Sequence, residues 1–196
     1  SETMFGFFLG TSLGILLAIA IVHNRATAIS VMPWIITSQT IPILALAPMI
    51  VVALGSAGFS GLLPIAIISM YLSFFPVVVG MVKGLKSPER LELDQMKTWS
   101  ASGSQVLVKL RLPKSMPYFF TSLKLGMAAA LVGAIVGELP SGGGGGLGFR
   151  MLSGSTFGNT LHIWSGLFSA AVLAASLIIF IGVIQKIILK KMALEL

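Results

Sequence analysis

The sequence predicts an all-α integral membrane protein with about five transmembrane helices, and three observations carry that prediction. First, 56% of its 196 residues are hydrophobic and only 10% are charged, with a mean hydropathy of +0.99. A water-soluble domain carries about 25% charged residues. Second, formal charge is absent from three long stretches, residues 3–24, 26–82 and 151–185. A spanning helix needs about 20 apolar residues to cross about 30 Å of hydrocarbon. Third, Lys and Arg gather between those stretches rather than within them. The period-two alternation of a membrane β-barrel is missing. Cysteine is absent, which excludes disulfides, thiolate catalysis and cysteine metal sites. The net charge of +7 is scattered among apolar runs and forms no groove-lining patch, so no nucleic-acid partner is expected. The lipid bilayer is the solvent.

A single transmembrane domain, 1–196, divides as follows. The first span covers about 4–23; it is long, lacks a basic leader and has no small-x-small cleavage site, unlike a signal peptide. The next charge-free stretch holds two spans, about 31–54 and 62–82, parted by Gly55, Ser56, Gly58, Ser60 and Gly61. A fourth runs about 117–137 and a fifth about 163–185. Alternating these spans puts eleven of the thirteen basic residues on one side, which marks it as cytoplasmic. Seven of them lie in 83–116; Arg150 alone lies outside, and Lys124 snorkels from within the fourth span. Ser1 then falls outside. A chain opening Ser-Glu-Thr there, without a signal, reads as lacking a first span and a short cytoplasmic tail.

The 83–116 segment is the one long inner loop. Ser87 as N-cap, Pro88 in the first turn and Glu89 at the dipole predict a helix from Pro88 to about Trp99. Ser102-Gly-Ser-Gln105 reads as a capping box opening a second short helix. That helix carries Val106, Leu107 and Leu110 on one face, Lys109 and Arg111 on the other, and is expected to stop at Pro113. Two angled amphipathic helices would form a docking element. The plain alternative is a basic loop that only fixes topology.

Polar residues inside the spans are few. Gln39, Thr40 and Pro42 sit mid-span, where proline frees a carbonyl that a neighbour or a cavity must satisfy. They form either a packed kink or part of a pore wall, and Ser69 and Tyr71 are of the same kind. Glu138 ends the fourth span; it either lines a water-filled path or is an interfacial acid, hydrated or paired with Arg150. Gly126, Ala128–Ala130, Gly133 and Ala134 allow close helix packing. The run Gly142–Gly146 lacks the Gly-Lys-Ser/Thr of a phosphate loop, leaving 138–161 as an outer glycine-rich loop. His23 and His162 have no carboxylate cluster for a metal. No catalytic, cofactor or metal site is expected in this chain.

The inner loop resembles the E-A-A-x-x-x-G-x9-I-x-L-P cytoplasmic loop of ABC-importer permeases. Its Glu-Ala-Ala positions fall on Asp94, Gln95 and Met96, its Gly on Ser100 (followed by Ala101) and its Ile on Leu110, while Leu112-Pro113 is identical. A serine in a left-handed turn costs about 1–2 kcal/mol, and Gly103 is expected to share that bend. Gln39-Thr-Ile-Pro-Ile-Leu-Ala-Leu-Ala-Pro48 is similar to a pattern of the nitrate/taurine/aliphatic-sulfonate permease family. So are Leu112–Gly126, leading into the fourth span, and Val136-Gly-Glu138 followed by Gly146-Leu-Gly148. The resemblance covers nearly the whole chain and implies a type I, binding-protein-dependent importer permease of a bacterial inner membrane, normally with six spans. It implies a homodimer, cytoplasmic ABC ATPase subunits that hold ATP and Mg, and an extracytoplasmic solute-binding protein. The implied cargo is a sulfonate, nitrate, or a heterocyclic vitamin precursor such as a pyrimidine. Two other classes stay open: an ion-coupled secondary transporter, which needs embedded acids and internal repeats, and a membrane anchor, which needs no polar span residues.

Overall fold

Small residues decide which helices touch. The computed structural model describes residues 2–141 and 145–192, and every regular element among them is helical. The elements are α1 (Glu2–His23), α2 (Arg25–Ser38), α3 (Ile43–Ser56), α4 (Leu62–Leu85), α5 (Arg90–Thr98), α6 (Gly103–Val106), a π-helical turn (Leu107–Arg111), α7 (Leu112–Ser141), α8 (Leu147–Thr156) and α9 (Thr160–Lys191). This is an all-α membrane protein: four helical stretches are long and apolar enough to cross a bilayer, and α2 with α3 makes a bent fifth candidate.

Lipid tails are as apolar as leucine, so burial from water does not drive spans together; close packing of small residues does. α1 presents Gly6, Gly10 and Gly14 at intervals of four, continued by the fully buried Ala18. A Cβ added to Gly6 would stand 2.6 Å from Ser69 Cβ, one on Gly10 2.9 Å from the Met70 carbonyl, and one on Gly14 2.8 Å from Val77 Cγ1. α7 approaches an adjoining face of α4 in the same way: a Cβ on Gly133 would stand 2.8 Å from Ser69 Cα, and one on Gly84 of α4 2.9 Å from Ser115 Cβ. Ala130 and Ala134 are buried as well, Ala130 in a cluster with Phe7, Phe120, Met127 and Ile181, so the small stripe of the fourth span packs within the subunit. α4 is therefore the spine of an α1–α4–α7 block. Half of its most apolar window is buried, against 11% of that of α9.

The second span departs from its expected form. Instead of one helix over 31–54, α2 and α3 meet at 96° across the break Gln39–Pro42. Proline accounts for the stop: Pro42, extended at φ −63° and ψ 120°, becomes the N-cap of α3 and cannot donate back into α2.

Three local expectations also change. α5 starts at Arg90 with Glu89 as N-cap, two residues beyond Ser87, and Pro88 is buried ahead of it. Pro113 does not stop the second inner helix. The ladder widens so that Leu112 N–H reaches the Leu107 carbonyl, and helix runs unbroken from Gly103 through α7. Proline has no N–H to place, and a π turn just before it lets the chain accommodate the missing donor. The stretch 138–161 is not simply loop: it contains α8, which folds back on α9 where Gly166 meets Met151 and Gly154 meets the Asn159 carbonyl. Residues 142–144 of the glycine run, and Ser1, lie outside the described residues.

Candidate functional site

α5 is capped at both ends and α6 at its start by nearby backbone and side-chain groups. Glu92 turns back to accept from the Glu89 N–H at 2.8 Å, one half of a capping box at the start of α5. Lys114, at the beginning of α7, places its Nζ 2.5 Å from the same carboxylate. That hydrogen bond, with the one from the Glu89 N–H, holds the Glu92 carboxyl below its ordinary pKa. At the other end of α5, Ser100 N–H donates to the Lys97 carbonyl (2.8 Å) and Ala101 N–H to the Met96 carbonyl (3.0 Å). These are the two bonds of a Schellman cap, and Ser100 takes its left-handed position at φ +53°. Among the described residues Ser100 is the only non-glycine with positive φ. Gly103 carries none of the bend; it opens α6.

The second capping box forms as its spacing suggests. Ser102 N–H donates to Gln105 Oε1 at 2.8 Å, and Gln105 N–H returns to Ser102 Oγ at 3.4 Å. Arg111 turns inward from the π turn and donates to the Leu85 carbonyl at 3.1 Å, capping the last turn of α4. Leu107 and Leu112 pack on the cluster formed by Ala18, Ile21, Val82 and Leu85. The inner helices are thus fastened to α1, α4 and α7 together. Met96 is buried, Leu110 half-buried and Pro113 half-buried, while Asp94 and Gln95 face outward, Asp94 paired to Lys97 at 2.7 Å. Trp99 is 68% exposed, Leu91 78% and Val108 59%.

Mid-molecule, four residues singled out by sequence converge at the α2/α3 break. Tyr71 of α4 donates its hydroxyl to the Ser38 carbonyl. Gln39 Nε2 lies 3.3 Å from Ser38 Oγ, Thr40 Oγ1 donates to the Thr37 carbonyl at 2.8 Å, and Pro42 follows as the cap of α3. Tyr71 and Thr40 thus donate to carbonyls at the end of α2, as a non-helical turn inside a membrane protein requires.

Glu138 has a defined structural engagement of its own. Its carboxylate accepts from the Gly148 N–H at 2.6 Å and from the Phe149 N–H, at the N-terminus of α8. A carboxylate there satisfies donors that a helix start leaves unpaired and complements its dipole. The glycines of Gly146-Leu-Gly148 follow from this contact. A Cβ on Gly146 would collide with the Glu138 carboxylate, and one on Gly148 with the Ile135 carbonyl. Sequence reasoning recognised the Glu-138 and Gly-x-Gly segments separately but did not join them.

With the geometry in place, comparison with known proteins is decisive at the family level. Residues 10–194 match the family described as binding-protein-dependent transport system inner membrane component. The chain belongs to that family. It is accordingly a multi-pass inner-membrane protein. Among curated relatives, a probable ABC transporter permease protein of Haemophilus influenzae is 32% identical over 151 residues, 77% of this chain and 60% of the relative. A formylaminopyrimidine transport permease protein of Halalkalibacterium halodurans is 35% identical over 133 residues, 68% of this chain and 52% of the relative. A putative aliphatic sulfonates transport permease protein of Bacillus subtilis is 25% identical over 185 residues, 94% and 65% respectively. The chain thus spans between about half and two thirds of the length of these relatives.

Within this family frame, sequence reasoning missed Glu92, Lys114 and Arg111 as the fastenings of the inner helices, and Leu91 and Val108 as exposed apolar side chains. The Glu92–Lys114 pair spans 22 positions and Arg111–Leu85 spans 26, beyond the reach of spacing rules.

Proposed function

We propose that this chain is a permease subunit of an ATP-driven importer, in which two copies surround one translocation path. ATP and Mg belong to cytoplasmic ATPase partners, and an external binding protein delivers the solute. The observation that carries the reading is the inner helix pair. It is fixed to α4 by Arg111 on Leu85 and to α7 by Lys114 on Glu92, while Leu91, Trp99 and Val108 project from it. A mere topology loop needs neither rigid fastening nor exposed aromatic surface; a lever pushed by a partner needs both. In this mechanism closure of the ATPase pair moves α5 and α6, and the motion passes into α4 and α7. The path opens alternately to the two sides. Asp94, Gln95, Met96, Trp99, Ser100, Ala101, Gly103, Leu110, Leu112 and Pro113 make up the coupling segment. Gln39, Thr40, Pro42 and Tyr71 contribute the path's polar wall at the helix break, and Glu138 bounds it at the outer end.

An ion-coupled transporter would need an embedded acid available to a cation, and Glu138 is instead engaged with α8. The names of the relatives, formylaminopyrimidine and aliphatic sulfonates among them, support a small organic solute as cargo. The ligand retained by the cognate binding protein will identify it.

The test is association. A buried aromatic anchor at an interface contributes about 2 kcal/mol or more, roughly thirtyfold in affinity. Trp99→Ala and Asp94→Lys should weaken ATPase binding by about that factor, with normal membrane insertion. Lys86→Ala should change little. Undiminished association and ATP-driven uptake in both variants would defeat the coupling assignment.

A further inference from the structure

We propose that the groove between α7 and α9 at Lys124 and Lys186 binds the anionic headgroup of a phospholipid. A cavity of about 400 Å³ opens there, lined by Lys124, Ile179, Gly182, Val183, Gln185 and Lys186. Lys124 lies across α9 at Gly182, where a Cβ would sit 3.7 Å from its Nζ. The absence of a side chain at 182 is what gives the amine its place. Gly182 is one helical turn from Lys186 and two from Lys190, so Lys124 reaches the basic end of α9 rather than the bilayer centre.

Two features select the ligand chemistry. Neither lysine has an acidic partner among the described residues, whose ion pairs are Lys97–Asp94 and Lys114–Glu92. Two amines beside one groove, with the buried Gln185 amide at its edge, leave positive charge that an anion would neutralise. Around the groove the surface is apolar and bare: Ile179 is 65% exposed, Val183 50% and Ile187 62%. A free phosphate has no use for that surface, whereas acyl chains would cover it. Basic pockets between spans near the cytoplasmic face hold lipid headgroups for the same reason. The proposal rests on membrane residence and not on import, so it stands or falls independently of the coupling reading.

The test uses the chain with its natural partners in phosphatidylcholine nanodiscs doped with phosphatidylglycerol. Native mass spectrometry then counts the phosphatidylglycerol retained. Each of Lys124→Gln and Lys186→Gln should lower retention about fivefold, from the worth of one basic residue near an anionic surface. Lys109→Gln, away from the groove, should leave it unchanged. Gly182→Leu should also cut retention, by filling the groove without removing charge. The Lys124→Arg/Lys186→Arg pair keeps both charges and should retain lipid even where the glutamine variants fold poorly. Millimolar inorganic phosphate should not displace the lipid. Full retention in a folded double glutamine variant, retention lost in the arginine pair, equal retention of phosphatidylcholine, or displacement by phosphate would each overturn the proposal.

Discussion

α1 meets α4 through three glycines, whereas α8 is clasped to α7 by one carboxylate beside a single glycine contact, Gly148 on the Ile135 carbonyl. The first contact is a continuous steric fit with backbones nearly touching; the second is a short attachment centred on a side chain and two N–H groups. The same contrast recurs across the molecule. α1, α4 and α7 form a block whose members cannot separate without opening voids. Outside it, the break between α2 and α3 is held by Tyr71, α5 by Glu92 and Lys114, and the π turn by Arg111. In a bilayer, apolar surface alone gives helices little reason to associate, so the bare faces of α3 and α9 add little to the block. Packing defines what moves as a unit, and polar clasps define where it bends.

The largest effect should come from breaking the block. In Gly10→Leu the new Cβ would stand 2.9 Å from the Met70 backbone carbonyl, which cannot give way as a flexible side chain would. Overpacking of this kind costs about 1–3 kcal/mol, and a backbone obstacle puts it at the upper end. Gly55→Leu, on α3 with nothing within 4 Å of the added atom, should cost almost nothing. Thermal aggregation midpoints in detergent would compare the two. Equal losses would mean that glycine packing is not what distinguishes the block.

Opening a clasp should have a smaller and more local effect. Glu138→Ala removes the acceptor at the start of α8, a loss of about 1 kcal/mol by analogy with helix caps. Hydrogen exchange should accelerate at Gly148 and Phe149 and stay unchanged in α4. Glu138→Gln keeps an acceptor oxygen and should retain most of the protection. Acceleration spread evenly over the whole chain would instead make Glu138 part of the packed block.

What the sequence made legible divides along the same line. The Ser102–Gln105 box was readable because its partners are three residues apart. Helical class and span composition were readable because hydropathy reports them directly. Direction within a charge-free stretch was not: 31–54 has the composition of one span, and only the extended backbone at Pro42 turns α3 through 96°. Pro113 was misread because the rule that proline ends helices assumes an i to i−4 ladder, which the π turn suspends. α8 was hidden by the glycine-rich stretch before it, while Gly146 and Gly148 answer to Glu138, a contact that exists only once α8 has folded back.

A left-handed serine offers a gain rather than a loss. Ser100 holds φ +53° in the Schellman cap of α5, where glycine carries no Cβ penalty. Ser100→Gly should relieve about 1 kcal/mol of local strain, partly offset by the freer unfolded chain. Slower exchange at the amides of residues 100 and 101 would mark an improved cap. Faster exchange would show that the serine side chain supports the turn.

The smallest effect belongs to Glu92, because its pair with Lys114 is only part-buried and so partly screened. Its carboxyl is held below the ordinary value of 4.5 by the Lys114 hydrogen bond and then by the Glu89 N–H. A depressed folded-state pKa means the stabilisation is complete above the unfolded value, at neutral pH, and fades as pH falls from about 4.5 through the lower native value. Glu92→Gln should therefore loosen α5 slightly at pH 7, seen as faster exchange at the Leu93 amide, which donates to the Glu89 carbonyl at 3.1 Å. After correction for intrinsic exchange rates, wild type and variant should converge as acid protonates the native carboxylate. Added salt at pH 7 should narrow the gap as well, since a pair that water still reaches is partly screened. A gap indifferent to both acid and salt would assign the attachment of α5 to packing of Met96 instead, and would move α5 from the clasped elements into the packed block.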